Sequence, residues 1–203
     1  MDRAAAHVGL AFQELGEGRN EDAAHHLDNA LLYAGDHPLI WWAKAITARD
    51  GEDNTELLNA HYLAPLEPAL RAESFLRQAE SSGEPSPLVA PLADNPDAMV
   101  DVACVLLDAG LLSDLHLWAS ECLRHREIPM LRYALAFAHL SKSGMEFEAA
   151  DQVARASQAP INPPYPWRTT ERLILERLNQ RFPADARIAD LLSLMNAYCA
   201  NQS

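Results

Sequence analysis

The sequence predicts an all-α fold built from antiparallel helix pairs. Apolar residues recur at helical spacing in segments of about 12 to 16 residues, and Gly, Pro, Asn and Asp separate these segments. No run of residues alternates between apolar and polar as a half-buried strand does. With 203 residues, of which 49% are hydrophobic, the chain is long enough to bury a sizeable core.

The first half of the chain contains five predicted helices, over roughly residues 2–16, 20–34, 38–48, 54–63 and 68–80. Gly16 and Gly18 end the first helix, and Asn20 is the predicted N-cap of the second. Pro38 and Pro68 stand in first turns, where a backbone without an N–H loses no hydrogen bond. The first two helices are therefore expected to form a hairpin.

A proline-rich segment follows, with four prolines between residues 81 and 96 and no hydrophobic period. It predicts a bent, extended connector over residues 84–95, between helical hairpins in 1–83 and further hairpins in 96–203. All three parts are expected to belong to one continuous stack.

The second half of the chain contains six predicted helices, over roughly residues 96–110, 113–125, 129–142, 146–158, 169–181 and 183–200. Asn95 and Ser113 are the predicted N-caps of the first two. A second proline-rich connector covers residues 159–167. One face of each helix collects apolar residues and is predicted to be buried, notably at Leu27, Trp42, Ala43, Ile46, Cys104, Leu115, Trp118, Cys122 and Val153.

Small and large apolar residues recur in similar order from one predicted hairpin to the next. Such repetition indicates stacked hairpins, because a single helical hairpin cannot bury its apolar face alone. The matching sets are Val8-Gly9, Phe12, Ala23, Leu27 and Ala30; Trp42-Ala43 and Ile46; Val102-Ala103, Leu106, Leu115 and Ala119; Leu135-Ala136, Ala149, Val153 and Ala156. In this pattern the chain resembles the tetratricopeptide-repeat superfamily. The resemblance implies a right-handed α-solenoid of about five antiparallel helix pairs.

The runs IPMLRYALAF, ARASQAP, PPYPWRTTERLILERLNQRFPADARIADLL and NAHYLAPLEPALRAESFL carry a narrower likeness. They are similar to the C-terminal helical-repeat region of bacterial proteins that begin with a β-sandwich domain of unknown function. The likeness implies that this chain is the helical portion of a longer polypeptide. It also implies a covalently linked N-terminal domain as one partner of the helices.

The charge of the chain restricts the classes of partner. Its formal net charge is −13, which disfavours nucleic acid and anionic membranes, since both attract basic surfaces. A basic peptide or protein remains compatible with that charge. No segment approaches the roughly 18 consecutive apolar residues of a membrane helix, and the N-terminus does not resemble a secretory signal. A cytoplasmic location is the resulting expectation.

No motif in the sequence predicts an enzyme. There is no GxSxG, no glycine-rich phosphate loop and no strand to carry either. Cys104, Cys122 and Cys199 are expected to be reduced, buried thiols. Cys122 with His125 supplies two of the four ligands that zinc requires, and His25 and His26 point in different directions on one helix. The acidic pairs Glu21-Asp22 and Glu52-Asp53 are expected to stabilise helix N-termini. Hence no catalytic residue, metal or cofactor is predicted.

The resemblance to tetratricopeptide repeats places candidate binding residues on the inner face of the first helix of each hairpin. Trp41 is expected to be partly exposed because its neighbour Trp42 takes the core position, and an exposed Trp is a candidate hot spot. Tyr133 and Phe137 are candidates for either the core or the binding surface. The full set is Arg3, Leu10, Gln13, Trp41, Lys44, Asp97, Cys104, Asp108, Tyr133 and Phe137.

The sequence therefore predicts a protein-interaction module or intramolecular scaffold that binds a protein segment on its concave surface. An alternative from a different class is a non-catalytic accessory region of a carbohydrate-active multidomain enzyme. A third expectation is self-association into a homodimer through the terminal hairpins, since the ends of a solenoid need capping.

Overall fold

The chain is all-helical in the computed structural model, which describes residues 3–49, 55–78, 85–160 and 168–200, with side chains up to residue 198. Within these ranges there is no strand. The helices are α1 (Arg3–Gly16), α2 (Asn20–Leu31), α3 (Pro38–Thr47), α4 (Thr55–Leu63), α5 (Pro68–Gln78), α6 (Pro96–Asp108), α7 (Leu112–His125), α8 (Pro129–Leu140), α9 (Glu146–Gln158), α10 (Thr169–Arg181) and α11 (Ala186–Ala200). The prediction of an all-α chain is confirmed.

Two predicted N-caps and one predicted helix start differ from the structure. Asn20 is the first residue of α2 rather than its N-cap, and no side chain caps that helix. Ser113 lies inside α7, which begins at Leu112. The last helix starts after a turn that contains Pro183 and is capped by Asp185, whose Oδ1 accepts a hydrogen bond from the backbone N–H of Ile188 at 3.1 Å. A cap depends on local backbone geometry, which residue type alone does not settle.

Asn95 is an N-cap as predicted, because its Oδ1 accepts a hydrogen bond from the N–H of Ala98 at 3.2 Å. The connector before it, as described over residues 85–95, is not extended throughout. It contains a turn and a short 3-10 helix, Ala90–Leu92, with Val89 and Leu92 buried. Prolines exclude a long helix but permit turns, and turns can bury isolated apolar residues. Of the second connector, residues 161–167 lie outside the described ranges.

The helices form two compact units. The first comprises Met1–Pro91 and Val105–Leu111. In it α1 pairs with α2 and α3 with α4, while α1 also contacts α3 and α3 contacts α5. The first helices of successive pairs are therefore neighbours, as in stacked hairpins. The predicted core residues Leu27, Trp42, Ala43 and Ile46 are buried.

Two glycines allow the end of α1 to approach the turn after α6 within the first unit. Gly110 has φ +70°, and a Cβ on it would lie 2.6 Å from the Cα of Gly16. A side chain at position 110 is excluded both by this contact and by the left-handed backbone.

The second unit comprises Leu92–Cys104 and Leu112–Ser203. In it α8 pairs with α9, α10 with α11, and α8 also packs on α7 and α10. Trp118 is fully buried, and its Nε1–H donates to the carbonyl of Met99 at 2.9 Å. The predicted core residues Leu115, Cys122 and Val153 are buried as well.

Candidate functional site

A cavity of about 400 Å³ lies in the second unit, where α8 and α10 end and α9 begins. Its two apolar lining residues are half-buried, and its polar lining residues are exposed. The residues that line it are Phe137, Leu140, Ser141, Glu146, Arg177, Gln180 and Arg181. The cavity therefore combines a hydrophobic contact with charged groups of both signs.

The turn between α8 and α9 shapes one wall of this cavity. Ser141 follows α8, and its hydroxyl donates to the carbonyl of Phe137 at 3.1 Å. Gly144 adopts φ +83°, which only glycine does without strain. The chain can then reverse within a few residues, and Glu146 begins α9 beside the end of α8. Phe137 is half-buried, so part of its ring remains accessible.

Helix α10 supplies the positive charge. Arg177 and Arg181 are four residues apart and so lie on one face of the helix. The Nη1–H of Arg177 donates to Oε1 of Gln180 at 3.5 Å, and both arginines are exposed. In the described part of the chain no carboxylate lies within 4.0 Å of either guanidinium. Both groups can thus accept an external anionic partner.

Of the two aromatic candidates on α8, only Phe137 reaches this cavity. Tyr133, one turn earlier, is 0% exposed and belongs to the core. Its hydroxyl lies 3.4 Å from Oγ of Ser157, and burial raises the pKa of the phenol. Tyr133 therefore does not share a surface with Phe137, because its ring is fully buried while the ring of Phe137 is only half-buried.

Trp41 and Lys44 are brought together on α3 in the first unit. The ammonium of Lys44 lies 5.8 Å from the centroid of the Trp41 ring and 2.5 Å from Oδ1 of Asp28. Trp41 is half-buried, as expected, and its Nε1–H donates to the carbonyl of Gly35 at 2.8 Å. Its polar atom is thus already bonded, and only the ring face is available for a contact.

The three candidates on α1 are exposed, but they face different neighbours. Leu10 is 42% exposed. Gln13 donates from Nε2 to Oε1 of Glu17 at 3.4 Å. The guanidinium carbon of Arg3 lies 5.7 Å from the centroid of the Tyr33 ring. Gln13 and Arg3 thus contact different partners, Glu17 and Tyr33.

The three candidates on α6 also differ in exposure. Asp97 and Asp108 are exposed, at the two ends of the helix, and Oδ1 of Asp97 lies 3.7 Å from Nη2 of Arg168. Cys104 is buried, which agrees with the expected buried thiol and removes it from any binding surface.

The weak metal candidates do not assemble into a site. Cys122 is fully buried, and its pKa is raised by that burial and by the neighbouring Glu121. His125 instead contacts Glu121, with Nε2 3.1 Å from Oε1. No cluster of three or more His, Cys, Asp or Glu side chains with metal-site geometry occurs in residues 3–49, 55–78, 85–160 or 168–198. The side chain of Cys199 and the pair Glu52-Asp53 lie outside these ranges.

Three glutamates are buried that the sequence pattern did not predict. Glu73, Glu121 and Glu171 are at most 6% exposed, and each is paired with an arginine of the same unit. Glu73 is paired with two arginines. Nη2 of Arg49 lies 2.5 Å from its Oε2, and Nε of Arg77 lies 2.9 Å from its Oε1. A sequence signal existed at Glu73, which follows the apolar Ala69 and Leu70 at helical spacing and precedes Arg77 by four residues.

Comparisons with known proteins return nothing similar to this chain. No family model matches it, and no curated protein or solved structure does so. The likeness to tetratricopeptide repeats therefore stays a prediction. Within the described ranges, no helix has the length and hydropathy needed to cross a bilayer.

Proposed function

We propose that this chain is a protein-interaction module of stacked helix pairs that binds a segment of another protein and has no catalytic role. The observation that carries the proposal is the cavity beside Phe137. It lies between α8 and α10, which are the first helices of neighbouring pairs and pack on each other. Phe137 is also one of the residues that the repeat pattern places on the inner surface.

The composition of the cavity favours a protein segment over an apolar small molecule. Its volume of about 400 Å³ is within the roughly 300–1,000 Å³ of ligand-binding clefts. Small-molecule sites are lined mainly by hydrophobic and aromatic groups, whereas only Phe137 and Leu140 are apolar here. A lining of two apolar, two neutral polar and three charged residues suits one side chain of a partner and the polar backbone around it.

The two arginines specify what that partner segment carries. A carboxylate binds a guanidinium through two parallel hydrogen bonds, which gives direction as well as energy. Arg177 and Arg181 are open to such a group, while Phe137 and Leu140 offer an apolar contact beside it. We infer that the bound segment places an apolar side chain on Phe137 and a nearby acidic group between the arginines.

Site-specific photo-crosslinking tests this function. Benzoylphenylalanine at position 137 is expected to capture a protein from the source cell. The same residue at position 147 is the matched control, because Phe147 is 83% exposed on α9 and does not line the cavity. A partner captured at both positions, or at neither, would contradict the proposal.

Substitutions then test the chemistry with the captured partner. Phe137→Ala and Arg177→Glu should each weaken binding by about tenfold or more, as expected for residues at the centre of an interface. Phe147→Ala should leave binding unchanged. Equal affinity for the wild-type chain and for both cavity variants would show that the partner binds elsewhere.

A further inference from the structure

Helix α4 of the first unit presents an exposed apolar surface. None of its residues lines the cavity beside Phe137. Leu58 and Tyr62 are 66% and 88% exposed, and Leu66, in the turn after the helix, is 76% exposed. Leu58 and Tyr62 are four residues apart and share one face of the helix. Leu63, at 38%, borders them. These four residues form the α4 patch.

The opposite face of α4 is apolar as well. Leu57 and Ala60 are 8% and 0% exposed and pack inside the first unit. A surface helix normally has one apolar and one polar face, whereas a helix that is apolar on both sides is usually buried on both. Contiguous exposed apolar patches on soluble proteins commonly mark interaction sites. The composition of α4 thus indicates that the α4 patch is covered by a partner in the functional state of the protein.

The segment of sequence that carries the α4 patch is acidic. Residues 50–67 contain five acidic residues and no Lys or Arg. Glu56 lies in the first turn of α4, and Glu67 follows Leu66 directly. Among the described residues, no cation lies within 4.0 Å of either carboxylate. The positive charge of Arg71 acts on His61 instead, where burial and then this charge lower the histidine pKa.

We propose that the α4 patch docks an amphipathic helix of another protein in which Lys or Arg residues flank the apolar ones. The apolar face of that helix covers Leu58, Tyr62 and Leu66, and its cations meet Glu56 and Glu67. Charge complementarity of this kind selects partners and speeds their association. A second copy of this chain would bring the same acidic residues against each other, and an anionic membrane would be repelled likewise.

A designed peptide tests this docking surface without knowledge of the natural partner. The probe is a labelled helix of about 18 residues, roughly 27 Å long, with Leu on one face and Lys on the other. We expect it to bind the intact chain in fluorescence anisotropy. The double variant Leu58→Ser/Tyr62→Ser should bind it about tenfold more weakly or worse, and added salt should weaken binding to the wild-type chain.

Matched controls separate the α4 patch from general stickiness. Phe147→Ser removes an equally exposed apolar group on another helix and should bind as the wild type does. Phe137→Ala should also bind normally, so failure here and failure of the proposed function are distinguishable. A peptide with Glu in place of every Lys should not bind.

Three results would overturn the inference. The first is equal affinity of the Lys peptide for the wild-type chain and the double variant. The second is equal affinity of the wild-type chain for the Lys and Glu peptides. The third is self-association of the purified chain in sedimentation that the double variant abolishes, since this would assign the surface to a second copy. Circular dichroism should confirm that the double variant stays helical, because both side chains are exposed.

Discussion

Glu73 has a buried carboxylate whose two oxygens are shared between two guanidinium groups. Arg49 reaches it from the turn after α3, and Arg77 reaches it from one turn further along α5. Arg77 also donates to the carbonyl of Ala45 at 2.6 Å. The interaction therefore joins α3 to α5 through charged groups in a largely apolar setting, where an unpaired charge is costly.

Replacing Glu73 by Gln is expected to lower the free energy of unfolding by about 3 kcal/mol, because two partly buried cations lose their counter-charge. Urea denaturation followed by circular dichroism measures this. Glu176→Gln is the matched control, since Glu176 pairs with Arg172 at 2.7 Å on the surface of α10 and should cost under about 0.5 kcal/mol. Equal effects of the two substitutions would contradict a structural role for the buried pair.

Gly110 occupies a position where any side chain meets backbone. Gly110→Ala combines a left-handed φ of +70° with a contact to Gly16, so we expect a loss of roughly 2–3 kcal/mol or more. Gly18→Ala has a similar φ of +75° but open space around it and should cost only about 1 kcal/mol. Denaturation of both variants separates the steric from the conformational contribution, and equal losses would argue against the close approach of Gly16 and Gly110.

At the scale of elements, α8 connects the core of the second unit to the candidate site. It packs on α7, α9 and α10. Tyr133 faces inward towards Ser157 of α9, whose hydroxyl donates to Oδ2 of Asp185 at 2.6 Å. Phe137 lies at the cavity one turn later. The position of Phe137 thus depends on the packing of the same helix.

Tyr133→Phe tests how much this hydrogen-bond chain contributes. We expect a loss of about 1 kcal/mol, since the hydroxyl is removed and the ring remains. Tyr133→Ala should cost roughly 3–5 kcal/mol, because a large buried side chain leaves a cavity. Thermal unfolding of both variants gives the comparison. A Tyr133→Ala variant with wild-type stability would place this ring outside the core.

The contact between α7 and α8 includes two histidines and should make stability depend on pH. The rings of His116 and His139 lie with centroids 5.3 Å apart. Burial lowers the pKa of both histidines below the usual 6.5, and the positive charge of Lys142 lowers it further at His116. At His139, His116 and Lys142 also lower the pKa, whereas the carboxylate of Glu148 raises it. The folded state therefore favours neutral rings, and the unfolded state binds protons more readily.

The resulting loss of stability begins as the pH falls through the unfolded value of 6.5 and continues down to the lowered folded pKa values. Replacing both histidines by Gln should flatten the fall of Tm between about pH 7 and about pH 5 relative to the wild type. His61, whose pKa is also lowered, is present in both proteins and cancels in the comparison. Parallel Tm curves for the two proteins would contradict this assignment.

At the scale of the whole molecule, the net charge of −13 causes like charges on the chain to repel one another. Self-repulsion of this size opposes compact states, and salt screens it over about 10 Å at 0.1 M. We expect added sodium chloride, from about 20 mM to about 500 mM, to raise the Tm by roughly 2–4 °C, which corresponds to about 1 kcal/mol in a chain of this length. Differential scanning calorimetry measures this shift.

Potassium chloride should act as sodium chloride does, because screening depends on ionic strength rather than on the cation. A Tm that falls with both salts would mean that ion pairs such as Arg49 with Glu73 outweigh the repulsion. Arg177 and Arg181 provide local positive charge at the cavity, whereas residues 50–67 contain acidic residues and no Lys or Arg. We therefore expect the two proposed surfaces to prefer partners of opposite charge.

The sequence alone determined the helices and most of the core. Apolar spacing located all eleven helices of the described ranges, and it assigned Trp42, Trp118 and Cys122 to the interior. This is possible because helical periodicity is a local property that each segment carries in its own residues. Precise caps at Asn20 and Ser113 were not predictable in this way, since a cap depends on where the preceding backbone turns.

Only the tertiary structure decided which side chains meet and which stay open. It placed Arg177 and Arg181 beside Phe137 across about 40 residues of chain, buried Tyr133, enclosed Glu73 between two arginines and left Leu58 and Tyr62 uncovered. Periodicity predicts that a face is apolar but does not identify what packs on it. That choice depends on contacts between distant segments, whose energies appear only when the helices are brought together.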